Sequence, residues 1–364
     1  MVGDVKDSVY HLKGTVLPEN EKREFWIVNG RVSFAQHKNA VELGQSDFII
    51  GGLVDAHFHL TMDFGDIGLS GMELVRANLE KHLEHGTLFV RDVGLAVDVP
   101  YASFQDERLP HVQHAGRFLA PARGYFGMQK PTSPENLVQA AVEQVKNGAG
   151  WVKFILNWPL TADVEGLNYP KDVVVRAVRA VHDSGGRVAV HVTNKDGVAL
   201  AVESGVNSIE HGFGMEEEMF GVMAEKKIAW TPTLVILPIG LDMPVIKNTP
   251  KAAKYYDSVQ KGIGALVKKA WKTGVRILAG TDMLPAGSLV EEIVALSECG
   301  LSPRDAIAAA STEAKSFLNF PGFEENAFAN LVVYNEDPTK NLRTLNRPER
   351  IMLNGRLAKP QSAS

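Results

Sequence analysis

The sequence predicts an α/β protein: a (β/α)8 TIM barrel with a small β-sandwich formed by the N- and C-terminal segments. Two observations lead to this prediction. Short apolar runs recur through residues 51–322, and several end in a histidine, a lysine or an aspartate. Such residues at the C-terminal ends of successive buried parallel strands are typical of the active-site face of this barrel. Residues 1–50 and 323–364 instead carry segments of alternating polarity, which are typical of half-buried strands.

The apolar runs predict eight barrel strands, most of them separated by helical patterns. The strands are expected at about residues 53–59, 86–92, 112–119, 151–156, 187–192, 206–211, 228–234 and 275–281. Three helices have clear end signals: N-cap residues, prolines in the first turn, or glycines after the last turn. They are expected from Ser133 to Asn147, from Pro170 to Asp183 and from Ser302 onwards.

The strands of the two chain ends are predicted to pair into the small sandwich domain. Asn29-Gly30 is a typical hairpin turn, and Asn354-Gly355 is expected to form a second turn. The predicted terminal strands are Val9–Leu12, Glu24–Val28, Arg31–Phe34, Asn330–Tyr334 and Arg350–Leu353. Residues 1–50 and 323–364 therefore form one predicted domain, and residues 51–322 form the barrel.

Composition narrows the class of protein. The chain has 364 residues, 45% of them hydrophobic, and a formal charge of −5, which permits one large domain or a large and a small one. Mild acidity without a basic cluster argues against nucleic acid as a partner. No apolar run reaches the roughly 18 residues of a membrane span, and Met1 to Val9 lack a signal-peptide core. The single cysteine, Cys299, suits a reducing compartment, so we expect a cytoplasmic protein with a small-molecule substrate; homo-oligomerisation stays open.

The most informative residues are His57 and His59. Side chains two apart on a strand point to the same side, so both imidazoles can face one metal ion, with Asp55 one layer below. Four further ligand-type residues each end an apolar run: Lys153, His191, His211 and Asp282. Taken singly, such residues are more often core histidines, a snorkelling lysine or a helix-capping aspartate. Their shared position at predicted strand ends favours a metal site.

The order His-x-His, Lys, His, His, Asp within flanking β segments resembles the amidohydrolase superfamily of metal-dependent hydrolases. Further stretches are similar to its branch of Xaa-Pro dipeptidase-like carboxypeptidases and imidazolonepropionase-like proteins. The resemblance spans roughly residues 8 to 357. These stretches are Gly86-Thr-Leu-Phe-Val-Arg-Asp-Val-Gly94, Val190-His-Val192, Gly205-Val-Asn-Ser-Ile-Glu-His-Gly212, Thr231-Pro-Thr-Leu234 and Leu278-Ala-Gly-Thr-Asp282.

The resemblance implies a binuclear zinc centre. Imidazole and carboxylate ligands suit Zn²⁺, whereas a lysine ammonium cannot lie beside two cations. In relatives the strand-four lysine reacts with CO2 and becomes a bridging carbamate. The implied ligands are His57, His59 and Asp282 for one metal, His191 and His211 for the other, and carbamylated Lys153 as the bridge.

The implied activity is hydrolysis of an amide bond in a small molecule, such as an N-acyl amino acid or a dipeptide. A metal-activated hydroxide attacks the carbonyl, and Asp282 passes the proton to the leaving amine. Hydrolysis of a cyclic amide or lactone, a lyase or isomerase reaction, and mononuclear deaminase-type chemistry are alternatives. The deaminases usually carry a glutamate three residues after the strand-five histidine, where this chain has Asn194. A non-enzymatic homologue would lack a ligand, and this sequence lacks none.

Candidate substrate contacts come from three loops or strand ends. Arg91 either pairs with Asp92 or binds a substrate carboxylate. Arg123 and Tyr125 follow strand three and are candidates for gripping a carboxylate or phosphate. Trp158, in the long loop after strand four, either covers an apolar substrate group or packs.

Other polar residues are expected outside the site. Strand alternation predicts that Glu210, next to His211, points away from the barrel interior. Five histidines in helical or loop contexts are expected at the surface: His82, His85, His111, His114 and His182.

Overall fold

The structure is a computed structural model. It describes residues 9–122, 124–125, 127–158 and 166–358, without the side chains of four residues: Gln45, Ser46, Ser103 and Val245. Within these ranges the chain is an α/β protein that contains two parallel sheets and a mixed one.

The described strands fall into three hydrogen-bonded sheets. In chain order they are β1 (Tyr10–Leu17), β2 (Glu21–Val28), β3 (Arg31–Ser33), β4 (Val41–Ile50), β5 (Leu53–Phe58), β6 (Thr87–Asp92), β7 (His111–His114), β8 (Leu119–Ala120), β9 (Lys130–Pro131), β10 (Trp151–Ile155), β11 (Arg187–Val192), β12 (Ser208–His211), β13 (Ala229–Thr231), β14 (Leu331–Tyr334), β15 (Arg350–Leu353) and β16 (Arg356–Ala358).

Of the described helices, α1 to α5 lie between parallel strands, and α6 to α11 follow β13. They are α1 (Gly71–Glu84), α2 (Leu137–Lys146), α3 (Lys171–Asp183), α4 (Lys195–Ser204), α5 (Phe220–Glu225), α6 (Leu237–Asp242), α7 (Pro244–Lys247), α8 (Pro250–Thr273), α9 (Leu289–Glu298), α10 (Pro303–Ala309) and α11 (Thr312–Leu318). Over the described ranges, none combines the length and the apolarity needed to cross a lipid bilayer.

Strands from both chain ends form one mixed sheet in the order β16-β15-β14-β4-β1-β2-β3. The Asn29-Gly30 turn closes the predicted hairpin, with a φ of 51° at Asn29 and 76° at Gly30. Two successive positive φ angles match the twist of a tight hairpin. Alternate residues of β1, including Leu12 and Val16, enter a separate apolar core. The second facing sheet that a sandwich needs stays a prediction, since these strands belong to one continuous sheet.

Two purely parallel sheets carry the middle of the chain, in the orders β5-β6-β7 and β13-β12-β11-β10-β8-β9. Strands β5, β6 and β10 to β13 are almost wholly buried, whereas β7 is half-buried and β9 is exposed. Burial on both faces is typical of parallel strands covered by helices. The predicted strand 112–119 is interrupted and forms β7 and β8. The predicted strand 275–281 is not a regular strand. The amide of Ala56 nevertheless donates to Ala279, and Leu278 donates to Trp230, so this segment bonds to both sheets.

Local sequence signals explain where several helices begin and end. The Ser302 side chain accepts from the amide of Asp305 and caps α10 as predicted. Asn194 caps α4 by accepting from the amide of Gly197, and Gly205, which follows the last residue of α4, has a φ of 72°. The predicted helix from Pro170 is α3.

Candidate metal centre

His57 and His59 converge on one carboxylate. His57 lies on β5 and His59 follows it, and both side chains are buried. The Oδ1 atom of Asp282 lies 3.4 Å from Nε2 of His57 and 3.1 Å from Nε2 of His59. The His-x-His spacing therefore places both imidazoles on the same side, as predicted.

Asp282 reaches this position because its segment runs against the end of β5. The Asp282 amide donates to the His57 carbonyl at 2.8 Å, and the residue adopts a φ of 51°. A Cβ on Gly280 would lie 2.4 Å from the Cβ of His57, so only glycine permits this approach. Asp55 fixes the same junction by accepting from the His57 amide and the Thr281 hydroxyl.

His191 lies on β11 and His211 ends β12, and these two parallel strands are neighbours in one sheet. The ring centroids of His191 and His211 are 4.4 Å apart. The ring centroids of His211 and His57 are 5.0 Å apart. His57, His211 and Asp282 offer ligand atoms that all lie within 4.8 Å of one another. Neither ring nitrogen of His191, nor Nε2 of His57, has a hydrogen-bond partner among the described residues. Buried nitrogens without partners are what a site for a metal ion requires.

Lys153 lies on β10 and is 1% exposed. Burial lowers the pKa of its amine to about 8, although the carboxylates of Glu210 and Asp282 act in the opposite direction. Lys153 also contributes to lowering the pKa of His191. The predicted strand-four lysine thus lies in the same buried region as the histidines, and its lowered pKa increases the neutral fraction of the amine.

The prediction for Glu210 is wrong. Its side chain is wholly buried, with Oε2 2.7 Å from Nδ1 of His57 and Oε1 2.9 Å from Nη2 of Arg91. His211 adopts a φ of 66°, so the strand leaves regular geometry there and its two last side chains do not alternate. The sequence did contain a signal for this pairing. Arg91 and Glu210 carry opposite charges near the ends of predicted buried strands, and buried charges need partners.

The rings of His59 and His211 are also fixed by hydrogen bonds of Nδ1, each to a different acceptor. Nδ1 of His59 donates to the carbonyl of Gly94 at 2.9 Å. Nδ1 of His211 lies 2.8 Å from the hydroxyl of Thr233, which itself donates to the carbonyl of Pro232. The hydroxyl therefore accepts from His211. As in many metal sites, each Nδ1 is engaged and the Nε2 lone pair is left for a ligand bond.

The protonation states of the candidate ligands also suit a metal ion. Burial holds the pKa of His191 and of His211 well below the usual range, so both rings are neutral. Burial raises the pKa of Asp282, but the neighbouring His57 and His59 outweigh it and hold that pKa well below its usual value. Neutral imidazoles and an ionised carboxylate are the forms that bind a divalent metal ion.

The candidate substrate residues have different outcomes. Arg91 is wholly buried and pairs with Glu210, so it is structural, but its partner is not the predicted Asp92. Arg123 lies outside the described residues. The ring of Tyr125 lies 5.4 Å from that of His191, and the ring of Trp158 lies 5.5 Å from it.

Tyr125 and Trp158 line an apolar pocket that opens on the candidate metal ligands. Its described wall also includes His191, His211 and Asp282, so the pocket is continuous with the candidate centre. The apolar part of the wall is formed by Tyr125, Trp158, Phe213, Ile236, Met243, Ile246, Tyr256 and Met283. The aromatic residues were only partly expected, because α6–α8 carry no sequence signal that links them to the site.

Two of the histidines predicted at the surface are buried. His82 lies on the inner face of α1 with its ring 4.5 Å from that of Phe58, and burial lowers its pKa to about 3. His114 ends β7 at 8% exposure, and burial lowers its pKa to about 4. Both pack against aromatic rings, since the ring of His114 lies 4.0 Å from that of Tyr101 and 5.2 Å from that of Phe104.

A sequence model of the amidohydrolase family matches residues 48–358. The chain therefore belongs to the amidohydrolase family, whose members generally bind metal ions and hydrolyse carbon–nitrogen bonds.

Two relatives illustrate the range of the family. An uncharacterized protein of Mycobacterium tuberculosis is 32% identical over 359 residues, which cover 96% of either chain. Ochratoxinase of Aspergillus niger is 25% identical over 250 residues, 64% of this chain and 51% of that protein. The chain thus matches about half the length of the ochratoxinase.

Solved structures share the fold over nearly the whole chain. A Xaa-Pro dipeptidase with bound methionine superposes with a TM-score of 0.81 at 21% identity, covering 97% of this chain and 99% of the dipeptidase. The A. niger ochratoxinase superposes with a TM-score of 0.81 at 18% identity, covering 98% and 97%. At these identities the likeness establishes the fold.

Proposed function

We propose that this chain is a zinc-dependent hydrolase that cleaves an amide bond of a small molecule carrying a large apolar group, such as an N-acyl amino acid or a dipeptide. The observation that supports this most is the convergence of His57 and His59 on Asp282, within 3.4 Å. A relative that shares the fold is named a Xaa-Pro dipeptidase, which agrees with an amide substrate.

The donor set fits two zinc ions. His57, His59 and Asp282 would hold one ion, and His191 and His211 the other, with Lys153 between them. The unpartnered nitrogens of His57 and His191 support this assignment. When bound, zinc ions supply the Lewis acidity that polarises a carbonyl group and acidifies a water molecule.

Lys153 becomes a carbamate in this proposal. Its neutral Nζ forms a bond to the carbon of CO2, and one proton leaves to solvent, so that a potential cation becomes an anion. The lowered pKa, about 8, supplies the neutral amine that this reaction requires. The two carbamate oxygens suit a bridge between two cations.

Asp282 moves the proton. Its carboxylate is held ionised by the neighbouring imidazoles, so it accepts a proton from the attacking water and delivers it to the leaving amine. Glu210 keeps His57 in one orientation and acts as a positioning residue. Asn194 is engaged in capping α4, which agrees with amide hydrolysis rather than deaminase-type chemistry.

The apolar pocket holds the large group of the substrate. Phe213 and Tyr256 pack edge to face at 5.8 Å, and the ring of Phe213 lies 5.7 Å from that of His211. An aromatic or aliphatic group in this pocket leaves water and so contributes to binding. The scissile carbonyl then lies toward His211 and Asp282.

We also infer that the two parallel sheets form one (β/α)8 barrel, residues 51–322, and that the chain ends form a separate small domain. Hydrogen bonds of the segment around Ala279 to Ala56 on one side, and of Leu278 to Trp230 on the other, support closure of the barrel. The strands end on one face, where catalytic residues of such barrels lie.

Metal content tests the proposal. Zinc per chain is measured by elemental analysis on protein reloaded with zinc and bicarbonate, for the wild type, Lys153→Ala and the exposed control Lys146→Ala. We expect about two ions in the wild type and the control and at most about one in Lys153→Ala. With ¹³C-labelled bicarbonate, a carbamate resonance is expected in the wild type and not in Lys153→Ala.

Release of amine from N-acyl amino acids and dipeptides is assayed on the same samples. About one ion per chain in every sample would contradict the bridge and favour a mononuclear centre. Two ions without hydrolysis of any amide would contradict the proposed activity while leaving the centre in place.

A further inference from the structure

A second cavity lies at the opposite end of β5 from His57. It is enclosed by the loop between β1 and β2, by the residues that precede β5, and by α11. Residues that line it include Leu17, Arg23, Gly51, Lys315, Phe320 and Phe323. None of them belongs to the proposed active site.

Lys315 is the unusual member of this cavity. Its side chain is 5% exposed, and Nζ lies 4.3 Å from the ring centroid of Phe89. A Cβ on Gly51 would lie 3.4 Å from Nζ, so the amine reaches the backbone of that glycine. Among the described residues, no carboxylate lies within ion-pair distance of Nζ, and Glu19 acts on it only at longer range.

A buried ammonium without a counter-charge is unfavourable. Burial accordingly lowers the pKa of Lys315 to about 7, and Lys315 in turn helps to lower that of His111. The Arg23 guanidinium lines the same cavity at its partly exposed rim, 2.7 Å from Glu21. Glu21 thus already provides the counter-charge of Arg23, and the Glu19 carboxylate also lines the cavity, beyond ion-pair distance of Lys315. An anion bound against Nζ of Lys315 would supply the missing close counter-charge.

The apolar part of the cavity lining indicates which kind of anion fits. Leu17, Phe320 and Phe323 are apolar, and they line the cavity together with the hydroxyl-bearing residues of α11. Phosphate is polar on every side, so it would place hydrated oxygens against these apolar side chains, which is unfavourable. A carboxylate has one charged end and can carry an apolar chain at the other.

We propose that this cavity binds a small monocarboxylate, with its carboxylate against Nζ of Lys315 and its apolar chain against Phe320 and Phe323. The occupant contacts the terminal sheet, the start of β5 and α11 at once. A ligand bound in this way stabilises the folded chain. The site does not depend on the proposed hydrolase function.

Hexanoate is the probe, with hexanol and hexylamine as neutral and cationic ligands of the same chain length. Binding is measured by titration calorimetry and by the rise in Tm on intact protein. We expect saturable binding of hexanoate alone. In Lys315→Met the affinity falls at least about tenfold, since a charge-assisted hydrogen bond contributes about 1.5–3 kcal/mol. The control variant Lys22→Met, at an exposed lysine, is expected to bind hexanoate with the affinity of the wild type.

Two further variants separate this site from the metal centre. Arg23→Gln, at the rim, is expected to weaken hexanoate binding severalfold, and it decides the test if Lys315→Met does not fold. Asp282→Asn is expected to leave hexanoate binding unchanged. Equal binding to the wild type and Lys315→Met, binding of hexanol as tight as that of hexanoate, or loss of binding in Asp282→Asn would each overturn the proposal.

Discussion

The carboxylate of Glu210 lies 2.7 Å from Nδ1 of His57, and both side chains are wholly buried. Burial raises the pKa of Glu210, but Arg91 and His57 outweigh it and hold that pKa well below its usual range. The carboxylate is therefore an acceptor, and His57 carries its proton on Nδ1. Nε2, which faces Asp282, is left with a lone pair for a metal ion.

Replacing Glu210 by Gln is expected to lower the affinity for zinc and the rate of amide hydrolysis by about 10–100-fold. The amide cannot stabilise the His57 imidazole as a carboxylate does, and it leaves Arg91 without its counter-charge. Zinc affinity is measured by competition with a chromophoric chelator. The matched control is Glu292→Gln, another buried glutamate, which accepts from the amides of Leu234 and Val235. Equal zinc affinity in both variants would contradict the positioning role.

Replacing Gly94 by Ala is expected to lower zinc affinity to a similar extent, about 10–100-fold. The Gly94 carbonyl holds Nδ1 of His59, and a Cβ at this position, with a φ of 149°, would lie 2.2 Å from the buried ring of Phe118. The backbone must shift, and the acceptor of His59 shifts with it. Gly150→Ala is the control, because nothing lies within 4 Å of its Cβ. Unchanged zinc binding in Gly94→Ala would show that His59 needs no fixed acceptor.

Replacing Phe213 by Ala is expected to reduce kcat/KM for N-acetyl-phenylalanine by about tenfold or more, and that for N-acetyl-glycine much less. The pocket loses an apolar wall next to His211, and one lost group in such a pocket changes binding of the transition state by about 1–3 kcal/mol. Steady-state kinetics on both substrates measure the ratio. Phe220→Ala, a buried phenylalanine outside the pocket lining, controls for lost packing. A parallel loss on both substrates would contradict an apolar specificity pocket.

Replacing Lys315 by Met is expected to stabilise the chain, most strongly below about pH 7. In the wild type the folded pKa is about 7, against about 10.4 for an unperturbed lysine. Between these values the unfolded chain binds the extra proton, so the stability of the wild type rises with pH, by at most about 1.4 kcal/mol per unit. The advantage of the variant therefore shrinks toward about pH 10.

Urea unfolding of both proteins, in buffers without carboxylates, measures this difference at several pH values. Glu19 and His111 are the other titratable groups that interact with Lys315, and both are present in either protein. A constant difference across the pH range would mean that the Lys315 amine keeps its usual pKa.

The repeating strand ends predicted most of the candidate centre. Two histidines at spacing two must share a face of a strand, and parallel strands bring their C-terminal ends to one edge. His57 and His59 share a side for the first reason, and Asp282 comes from the predicted strand end that meets them, although its segment is irregular. The capping signals at Ser302 and the turn at Asn29-Gly30 are equally local, and they were predicted at the right residues.

Departures from regular geometry could not be predicted in the same way. The positive φ of His211 turns Glu210 into the interior, where alternation predicted the opposite. The interrupted strand at β7 and β8 and the irregular segment near Ala279 likewise depend on neighbours that are distant in sequence.

The sequence by itself determined the fold class, the family and the identity of the candidate ligands, because periodicity, strand-end position and residue chemistry are local properties. Only the tertiary structure decided which groups orient the ligands and what surrounds them: Glu210 on His57, Gly94 on His59, the apolar wall, and the burial of Lys315. These contacts join residues far apart in the chain, and burial, which sets their charge, is a property of the packed molecule.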